Sequence, residues 1–246
     1  MQNQQPSTLK EIRVHGTQDF PCAFYQTGTR IKGNMVKHHW HEEVELLYFS
    51  GGEFCLEVNM ERFNISEECF YVINPGELHS ISVEKNGGCV ENAVVFHMDM
   101  LSSAYALDQI QTNLIQPVQN GSIQFPRCLR KNEPAFEPVR KSYEEIRNVF
   151  GGDSFRENYY DGEAVTDDIT RQLFIKSALL RILAVLSANN LFEVTEKNHD
   201  RRIETIKTTL TYIQENYKEK IYIRDLADLI GMNEQYFCRF FKKVIG

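Results

Sequence analysis

Short apolar segments alternate with turn-forming residues up to about residue 100 of the chain. The segments have the β-branched and aromatic composition of strands, and they lie at Val44–Phe49, Phe54–Val58, Phe63–Ile65, Cys69–Ile73, Ser80–Val83 and Ala93–Phe96. Gly, Pro and Asn residues separate them, as at Asn74–Gly76 and Asn86–Gly88. Short strands at such regular spacing, with turn signals between them, predict an antiparallel β-sandwich or a small β-barrel.

The pattern becomes helical after Met100. Residues 101–134 mix short helices and loops, and apolar residues then recur at steps of three and four from Phe136 to Phe150, which predicts a helix. We expect a polar loop over Gly151–Asp168. The next segment, Ile169–Leu186, is apolar on most sides and therefore needs partners on most sides. It is either the centre of a domain or part of a dimer interface.

A polar linker over residues 189–200 precedes a second helical region. Regular apolar spacing predicts a helix from Ile203 to Tyr217 and a short helix within Ile221–Ile230. A turn at Gly231 and a last helix capped by Asn233 complete the region.

The last helix has two unlike faces. Its apolar face carries Phe237, Phe240, Phe241 and Val244. Its other face carries Gln235, Cys238, Arg239 and Lys242. Two helices joined by a Gly turn, with basic and amide side chains exposed on the second, are typical of a helix-turn-helix that reads the DNA major groove.

The distribution of charge also separates the chain at about residue 200. The net charge of the 246 residues is −7, which argues against a protein that coats nucleic acid without specificity. From Arg201 onward, however, nine Lys and Arg residues outnumber six Asp and Glu residues. This difference favours an acidic sensing domain followed by a mildly basic DNA-binding segment.

Cysteine spacing and hydropathy indicate the compartment. The six cysteines are far apart and include no Cys-x-x-Cys pair, which fits free thiols in a reducing cytosol and makes a zinc finger very improbable. The polar N-terminus lacks the apolar core of a secretory signal, and no window approaches the ~18 apolar residues of a membrane span. We therefore expect a cytoplasmic protein that does not enter membranes.

Histidines and a glutamate form a second constellation, in the β region. His39, His41 and Glu45 are separated by even numbers of residues, so on an extended chain their side chains lie on one face. His79 follows the Pro75-Gly76 turn. Three imidazoles and a carboxylate suit zinc, iron or manganese. The alternatives are a polar pocket for a small-molecule effector and purely structural histidines.

These motifs resemble the two signatures of the cupin superfamily, a small antiparallel β-barrel. The first is Gly33-x5-His39-x-His41-x3-Glu45-x6-Gly52, and the second is Pro75-Gly-Glu-Leu-His79. The Gly expected at the start of the second motif is replaced in the region of Glu67–Cys69. The resemblance implies that His39, His41, Glu45 and His79 bind either an effector or one divalent transition metal ion. We do not expect the protein to require a cofactor.

The whole chain resembles the AraC/XylS family of bacterial transcription regulators. The most specific part is Tyr236–Gly246, which is similar to the family's first recognition helix. The resemblance implies an α+β protein with a cupin-like antiparallel β-barrel, helices, and then an all-α partial helix-turn-helix domain. The expected units are an effector-sensing domain (1–134), a helical dimerisation region (135–188), the linker (189–200) and the first helix-turn-helix unit (201–246).

The resemblance also implies which residues would contact DNA. Gln235, Cys238 and Arg239 would meet base edges, and Tyr236 and Lys242 would lie near phosphates. Arg reads guanine and Gln reads adenine, whereas Lys adds a salt-dependent term without sequence preference. Asn233 would cap the helix whose N-terminus suits a phosphate.

The chain departs from the family at Gly246, where it stops before a second helix-turn-helix unit. We therefore expect this form to bind DNA weakly. The main hypothesis is a homodimeric regulator, not an enzyme, that responds to a small molecule such as a sugar. One alternative is a metal-dependent cupin enzyme, an isomerase or dioxygenase with His39, His41, Glu45 and His79 as ligands. Another is a truncated partner that forms mixed dimers with full-length regulators.

Overall fold

The fold was analysed in a computed structural model of the 246-residue chain. The structure describes residues 9–29, 31–85, 89–105, 107–151, 162–195 and 201–245. The predicted turn residues Asn86–Gly88 and the terminal Gly246 lie outside these ranges. None of the described helices has the length and apolar character needed to cross a bilayer.

Eight strands form the N-terminal half of the fold. They are β1 (Cys22–Thr29), β2 (Gly33–His39), β3 (Val44–Phe49), β4 (Phe54–Val58), β5 (Glu61–Ile65), β6 (Cys69–Ile73), β7 (His79–Val83) and β8 (Cys89–Phe96). All six predicted strands are present, and three of them have the predicted bounds. The first two strands were not predicted, because their polar and apolar residues do not alternate regularly.

The strands pair antiparallel in two sheets that enclose one core. The order β10-β6-β3-β8-β1-β11 forms the larger sheet and β2-β7-β4-β5 the smaller, where β10 is Cys128–Arg130 and β11 is Gly162–Ala164. Strand β3 is apolar on both faces. Leu47 and Phe49 point between the sheets, and Val44 and Leu46 point toward the helices. The predicted α+β class with a cupin-like barrel is confirmed.

Short elements connect the barrel to its helices. They are a 3₁₀ turn at Met98–Leu101, a π-helical turn at Gln111–Ile115, α1 (Gln116–Gln119), β9 (Ile123–Gln124) and β10. His97 accepts a hydrogen bond from the Asp99 backbone N–H and so caps the 3₁₀ turn. This mixture of elements agrees with the prediction for residues 101–134.

Two long helices, α2 (Phe136–Phe150) and α3 (Ile169–Ala188), cover the outer face of the larger sheet. Asp168 caps α3 by accepting the Arg171 backbone N–H at 2.8 Å. One face of α3 is buried against α2 and the sheet. Its other face exposes four large apolar side chains: Ile169, Leu173, Phe174 and Leu180. The helix therefore has a core face and an apolar face without a partner among the described residues.

Two segments predicted as irregular contain strands. Within the expected loop 151–168, β11 pairs with β1, and residues 152–161 lie outside the described ranges. Within the expected linker, β12 (Glu193–Val194) pairs with β9, and residues 196–200 are not described. Both strands are two or three residues long, too short for a periodicity to identify.

Three helices form the C-terminal region: α4 (Arg201–Asn216), α5 (Ile223–Leu229) and α6 (Glu234–Ile245). Gly231 has a φ of 66°, which explains the tight turn between α5 and α6. Ala227 and Phe237 are buried where the helices cross. The predicted helix-turn-helix is thus present, and Phe240 and Phe241 also pack inward. The side chain of Val244 lies outside the described part.

Candidate functional site

The barrel contains a polar pocket of about 460 Å³. Pairing of β2 with β7 places His39 opposite His79, so residues 40 apart in the chain become direct neighbours. The ring centroids lie 4.2 Å apart for His39 and His79, and 5.1 Å apart for His41 and His79. Glu45 points to the same group from β3. The structure therefore brings together all four residues that were predicted as effector or metal ligands.

The three histidines are held in one orientation by the backbone. Their Nδ1 atoms lie 2.8–3.2 Å from the carbonyl oxygens of Lys37, Glu43 and Glu77 for His39, His41 and His79, respectively. A carbonyl oxygen only accepts, so Nδ1 carries the proton and donates. In the neutral ring this arrangement leaves the Nε2 lone pair to face the pocket. Such outer hydrogen bonds orient the histidines of metal sites.

Glu45 lies between two of the imidazoles. Its Oε2 is 3.0 Å from His79 Nε2 and 3.5 Å from His41 Nε2. Burial alone would raise the pKa of Glu45, but His41 and His79 lower it well below its usual range. Neither Glu45 Oε2 nor His79 Nε2 makes a hydrogen bond of good geometry to any described residue. Both atoms carry lone pairs that repel each other at 3.0 Å. A proton or a metal ion must therefore lie close to both of them.

The turn that presents His79 is braced from outside the pocket. Glu77 receives two hydrogen bonds from the Arg127 guanidinium and one, at 2.7 Å, from the Asn74 backbone N–H. Gly76 has a φ of 78° and donates its N–H to the His41 carbonyl at 2.7 Å. The Pro75-Gly76 turn therefore ties the strand end of His79 to that of His41.

A second carboxyl group, Glu91, lies in the pocket and was not predicted. It is only 2% exposed, and burial together with the negative charge of Glu45 raises its pKa well above the ordinary value. Glu91 is therefore the carboxyl group of the pocket that takes up a proton more readily, and its neutral form can donate a hydrogen bond. Its position is in phase with Ala93 and Val95 on the inner face of β8, so the alternation of that strand contained the signal.

Two further pocket residues, Glu11 and His15, come from the segment before β1. Glu11 Oε2 lies 3.3 Å from His39 Nε2 and 3.5 Å from His15 Nε2. His15 is 4% exposed and its ring packs edge-on against His41 with centroids 5.1 Å apart. No regular element contains these two residues, and no sequence pattern indicated them.

The donor set fits a divalent transition metal. His39, His41 and His79 offer ligand atoms within 4.8 Å of one another, and Glu45 lies beside them. Burial and His79 lower the pKa of His39 to about 4, which keeps its imidazole neutral and its lone pair available near neutral pH. Imidazole and carboxylate ligands suit zinc, iron and manganese, and such an ion supplies a fixed positive charge for an anionic or hydroxylated ligand.

The wall behind the pocket contacts α4. Trp40 points away from its histidine neighbours, as predicted, and packs in a small cluster with Leu9, Leu78 and Ile206. Lys207 Nζ lies 4.5 Å from the Trp40 ring centroid and donates to the Gly76 carbonyl. Trp40, between His39 and His41, and Leu78, next to His79, therefore form part of the surface that contacts α4.

Helix α6 presents the side chains predicted to meet DNA. Asn233 caps it, because its Oδ1 accepts the Tyr236 backbone N–H at 2.8 Å. The exposed face carries Gln235, Tyr236, Cys238, Arg239 and Lys242. These five side chains lie on one side of the helix, opposite the buried Phe237. Their contacts with DNA stay a prediction.

Comparisons with known proteins agree with this organisation. Residues 27–148 match the family described as AraC-like ligand binding domain. The chain is also similar to an uncharacterised HTH-type transcriptional regulator, YdeC, of Bacillus subtilis. The two are 24% identical over an alignment of 246 residues, which covers 97% of this chain and 76% of that protein.

Two solved structures are also similar to the chain. ToxT from Vibrio cholerae is 10% identical, with a TM-score of 0.38 over 91% of this chain and 75% of that one. A cupin protein from Bacteroides fragilis is 14% identical, with a TM-score of 0.30 over 35% of this chain and 75% of that one. Neither likeness places a residue or a ligand in this chain.

Proposed function

We propose that this chain is an AraC-type transcription regulator, and that its histidine pocket binds a polar effector that controls how α4–α6 pack on the barrel. The observation that carries this proposal is the alternation of side chains on two short segments. His39 and His41 face the pocket while Trp40 between them faces α4. His79 contacts His39 and Glu45 while Leu78 contacts Ile206. A ligand that moves either segment changes both surfaces.

The chemistry of the pocket favours a small polar effector with several hydroxyl groups. Glu45 accepts hydrogen bonds, the protonated Glu91 donates them, and the imidazoles can do either. A sugar offers both donors and acceptors. The three convergent Nε2 atoms favour a second candidate, a divalent transition metal as the effector itself or as a cofactor of a cupin enzyme.

A thermal-shift screen tests the effector proposal. We expect one polar metabolite to raise the melting temperature of the wild-type protein. His79→Gln should lose the shift, whereas His97→Gln should keep it, because His97 lies outside this pocket, at the start of the 3₁₀ turn. The identified ligand should then change the protein's affinity for DNA selected from a random pool. Turnover of the ligand without any DNA binding would instead support the enzyme alternative.

Two substitutions in α6 distinguish base reading from phosphate contact. We expect Arg239→Ala to weaken binding to the selected sequence by about 1–3 kcal/mol and to relax specificity at one base. Lys242→Ala should weaken binding to all sequences and lower the salt dependence by about one counterion. Fluorescence polarisation at several salt concentrations measures both effects. Lys218→Ala, in the turn after α4, is the control, and equal loss in all three variants would contradict the assignment.

The exposed face of α3 is proposed as the homodimer interface. Leu173 and Phe174 are 62% and 60% exposed on a helix whose opposite face is buried. We expect Phe174→Asp to convert the protein to a monomer in sedimentation velocity experiments. Ile31→Asp, at a residue 73% exposed on the barrel, should leave the dimer intact. A wild-type monomer, or a dimer that tolerates Phe174→Asp, would rule out this interface.

The proposed location is the cytoplasm, where a promoter-binding protein meets its DNA. The mixed-dimer alternative shares the α3 interface and differs in the partner. A co-purified longer regulator in place of a second copy would favour it.

A further inference from the structure

The segment before β1 is fixed across the pocket by backbone pairing. Lys10 forms a parallel bridge with Trp40, in which the Trp40 N–H donates to the Leu9 carbonyl at 2.8 Å and the Glu11 N–H donates to the Trp40 carbonyl at 2.9 Å. This pairing places Glu11 beside the histidines on either side of Trp40. Its carboxylate position therefore follows from main-chain geometry and not from a chance surface contact.

A tight turn fixes His15 in the same way. Gly16 has a φ of 86°, and a Cβ there would lie 2.5 Å from backbone atoms of Phe20 and Cys22. The turn directs the His15 ring inward, where its Nδ1 lies 2.8 Å from the Tyr25 hydroxyl. The Nε2 atom is buried, and Glu11 Oε2 lies 3.5 Å from it without a hydrogen bond of good geometry. A buried imidazole nitrogen and a carboxylate that are close but poorly paired leave room for a ligand that both can hold.

We propose that Glu11, His15 and His41 form a binding site for a divalent transition metal ion, separate from the set that contains Glu45 and His79. The ligand atoms of these three residues lie within 4.8 Å of one another, and two of the residues are more than nine-tenths buried. Ligands about 2.1 Å from one ion are at most about 4.2 Å apart, so small side-chain rotations complete the site. One carboxylate and two imidazoles with a free position suit zinc, cobalt or nickel.

The two ligand sets overlap at His41. Its Nδ1 is engaged with the Glu43 carbonyl, so Nε2 is the only nitrogen that it offers to either set. One ion at a time therefore uses His41. Occupation of the Glu11 site fastens the segment before β1 across the pocket, and through Leu9 and Trp40 it reaches the α4 contact. This consequence rests on the proposed sensing role of the pocket, whereas the metal site itself does not.

Cobalt titration tests the site, because Co²⁺ substitutes for zinc and its visible absorption reports ligand number. We expect one equivalent to bind the full chain with an absorption typical of four or five ligands. Glu11→Gln and His15→Gln should each weaken Co²⁺ binding at least about tenfold, since even outer partners of metal ligands cost that much. His97→Gln should bind as the wild type does, because His97 belongs to neither ligand set. Circular dichroism and the melting temperature without metal establish that each variant is folded.

His79→Gln separates the two ligand sets. We expect it to retain Co²⁺ binding with the same absorption, because His79 belongs to the other set. If His79→Gln abolishes binding while Glu11→Gln and His15→Gln do not, the ion occupies the motif residues and the proposed site is wrong. Absence of Co²⁺ binding to the wild type overturns it as well, while a polar effector found by thermal shift would leave the proposed function standing.

Trypsin provides a readout that does not depend on affinity. Arg13 lies between Glu11 and His15 and is exposed, so cleavage after it reports whether the segment is held. We expect zinc to slow this cleavage in the wild type and in His79→Gln, but not in Glu11→Gln. Equal protection in Glu11→Gln would show that zinc acts elsewhere.

Discussion

Phe70→Ala is expected to lower the free energy of unfolding by about 3–5 kcal/mol, the cost of removing a large side chain from a fully packed site. Phe70 is 0% exposed on the outer face of β6. Its ring lies 5.4 Å from that of Phe136 and 5.3 Å from that of Tyr143, both on α2. The substitution therefore leaves a cavity between the sheet and the helix, and chemical denaturation monitored by circular dichroism measures its cost.

The matched control is Phe174→Ala, which removes the same atoms from a side chain 60% exposed on α3. We expect its effect to stay within about 0.5 kcal/mol on the background of Ile169→Asp, a charge substitution in the proposed α3 interface that should also give a monomer. If both variants lose a similar free energy of unfolding, the loss does not come from burial of the ring between β6 and α2. An unchanged Phe70→Ala protein would contradict the core described between β6 and α2.

The fold was largely predictable because most of its elements contain their own signals. Strands β3, β4 and β6 each border a turn that contains Gly, Pro or Asn, and α2 has a regular apolar face. Strand β2 was not predicted, since only its neighbouring residues Met35 and Val36 pack against the core and none of its side chains is fully buried. The short strands β11 and β12 exist only through their partners β1 and β9.

The pocket was also predictable in part, from residues whose orientation follows from local spacing. Even spacing placed His39 and His41 on one face, which is local information, whereas Glu45 lies on β3 after bends at Glu42 and Glu43. Glu91 was missed, although its alternation with Ala93 on β8 contained the signal. Glu11 could not have been found, because its position depends on pairing between Lys10 and Trp40, 30 residues apart. A single sequence shows which face a side chain takes, but not which distant segment lies opposite.

The same distinction applies to the contact between the barrel and α4. The sequence predicted that Trp40 points away from the histidines but not that Ile206 and Lys207 meet it. That contact is what makes a polar pocket relevant to DNA binding, since coupling between two sites requires an element whose arrangement both sites influence.

Ile206→Ala is expected to release α4 from the barrel while the barrel stays folded. Ile206 is 1% exposed and packs against Leu78 and the half-buried Trp40, so its truncation costs about 2–5 kcal/mol of packing at this contact. Trp40 is the only tryptophan of the chain, and its fluorescence therefore reports this contact alone. We expect its emission to shift to longer wavelength as water reaches the ring. Hydrogen exchange should become faster in α4 and stay unchanged in β3 and β6.

The control is Ile223→Ala, at a residue 49% exposed on α5 and outside the cluster around Trp40. It should leave both the emission and the exchange of α4 unchanged. If Ile206→Ala also leaves them unchanged, α4 does not rest on Trp40 in solution, and the proposed route from the pocket to the DNA-binding helices fails. If the barrel strands exchange faster too, the contact supports the barrel itself, and regulation by release of α4 is excluded.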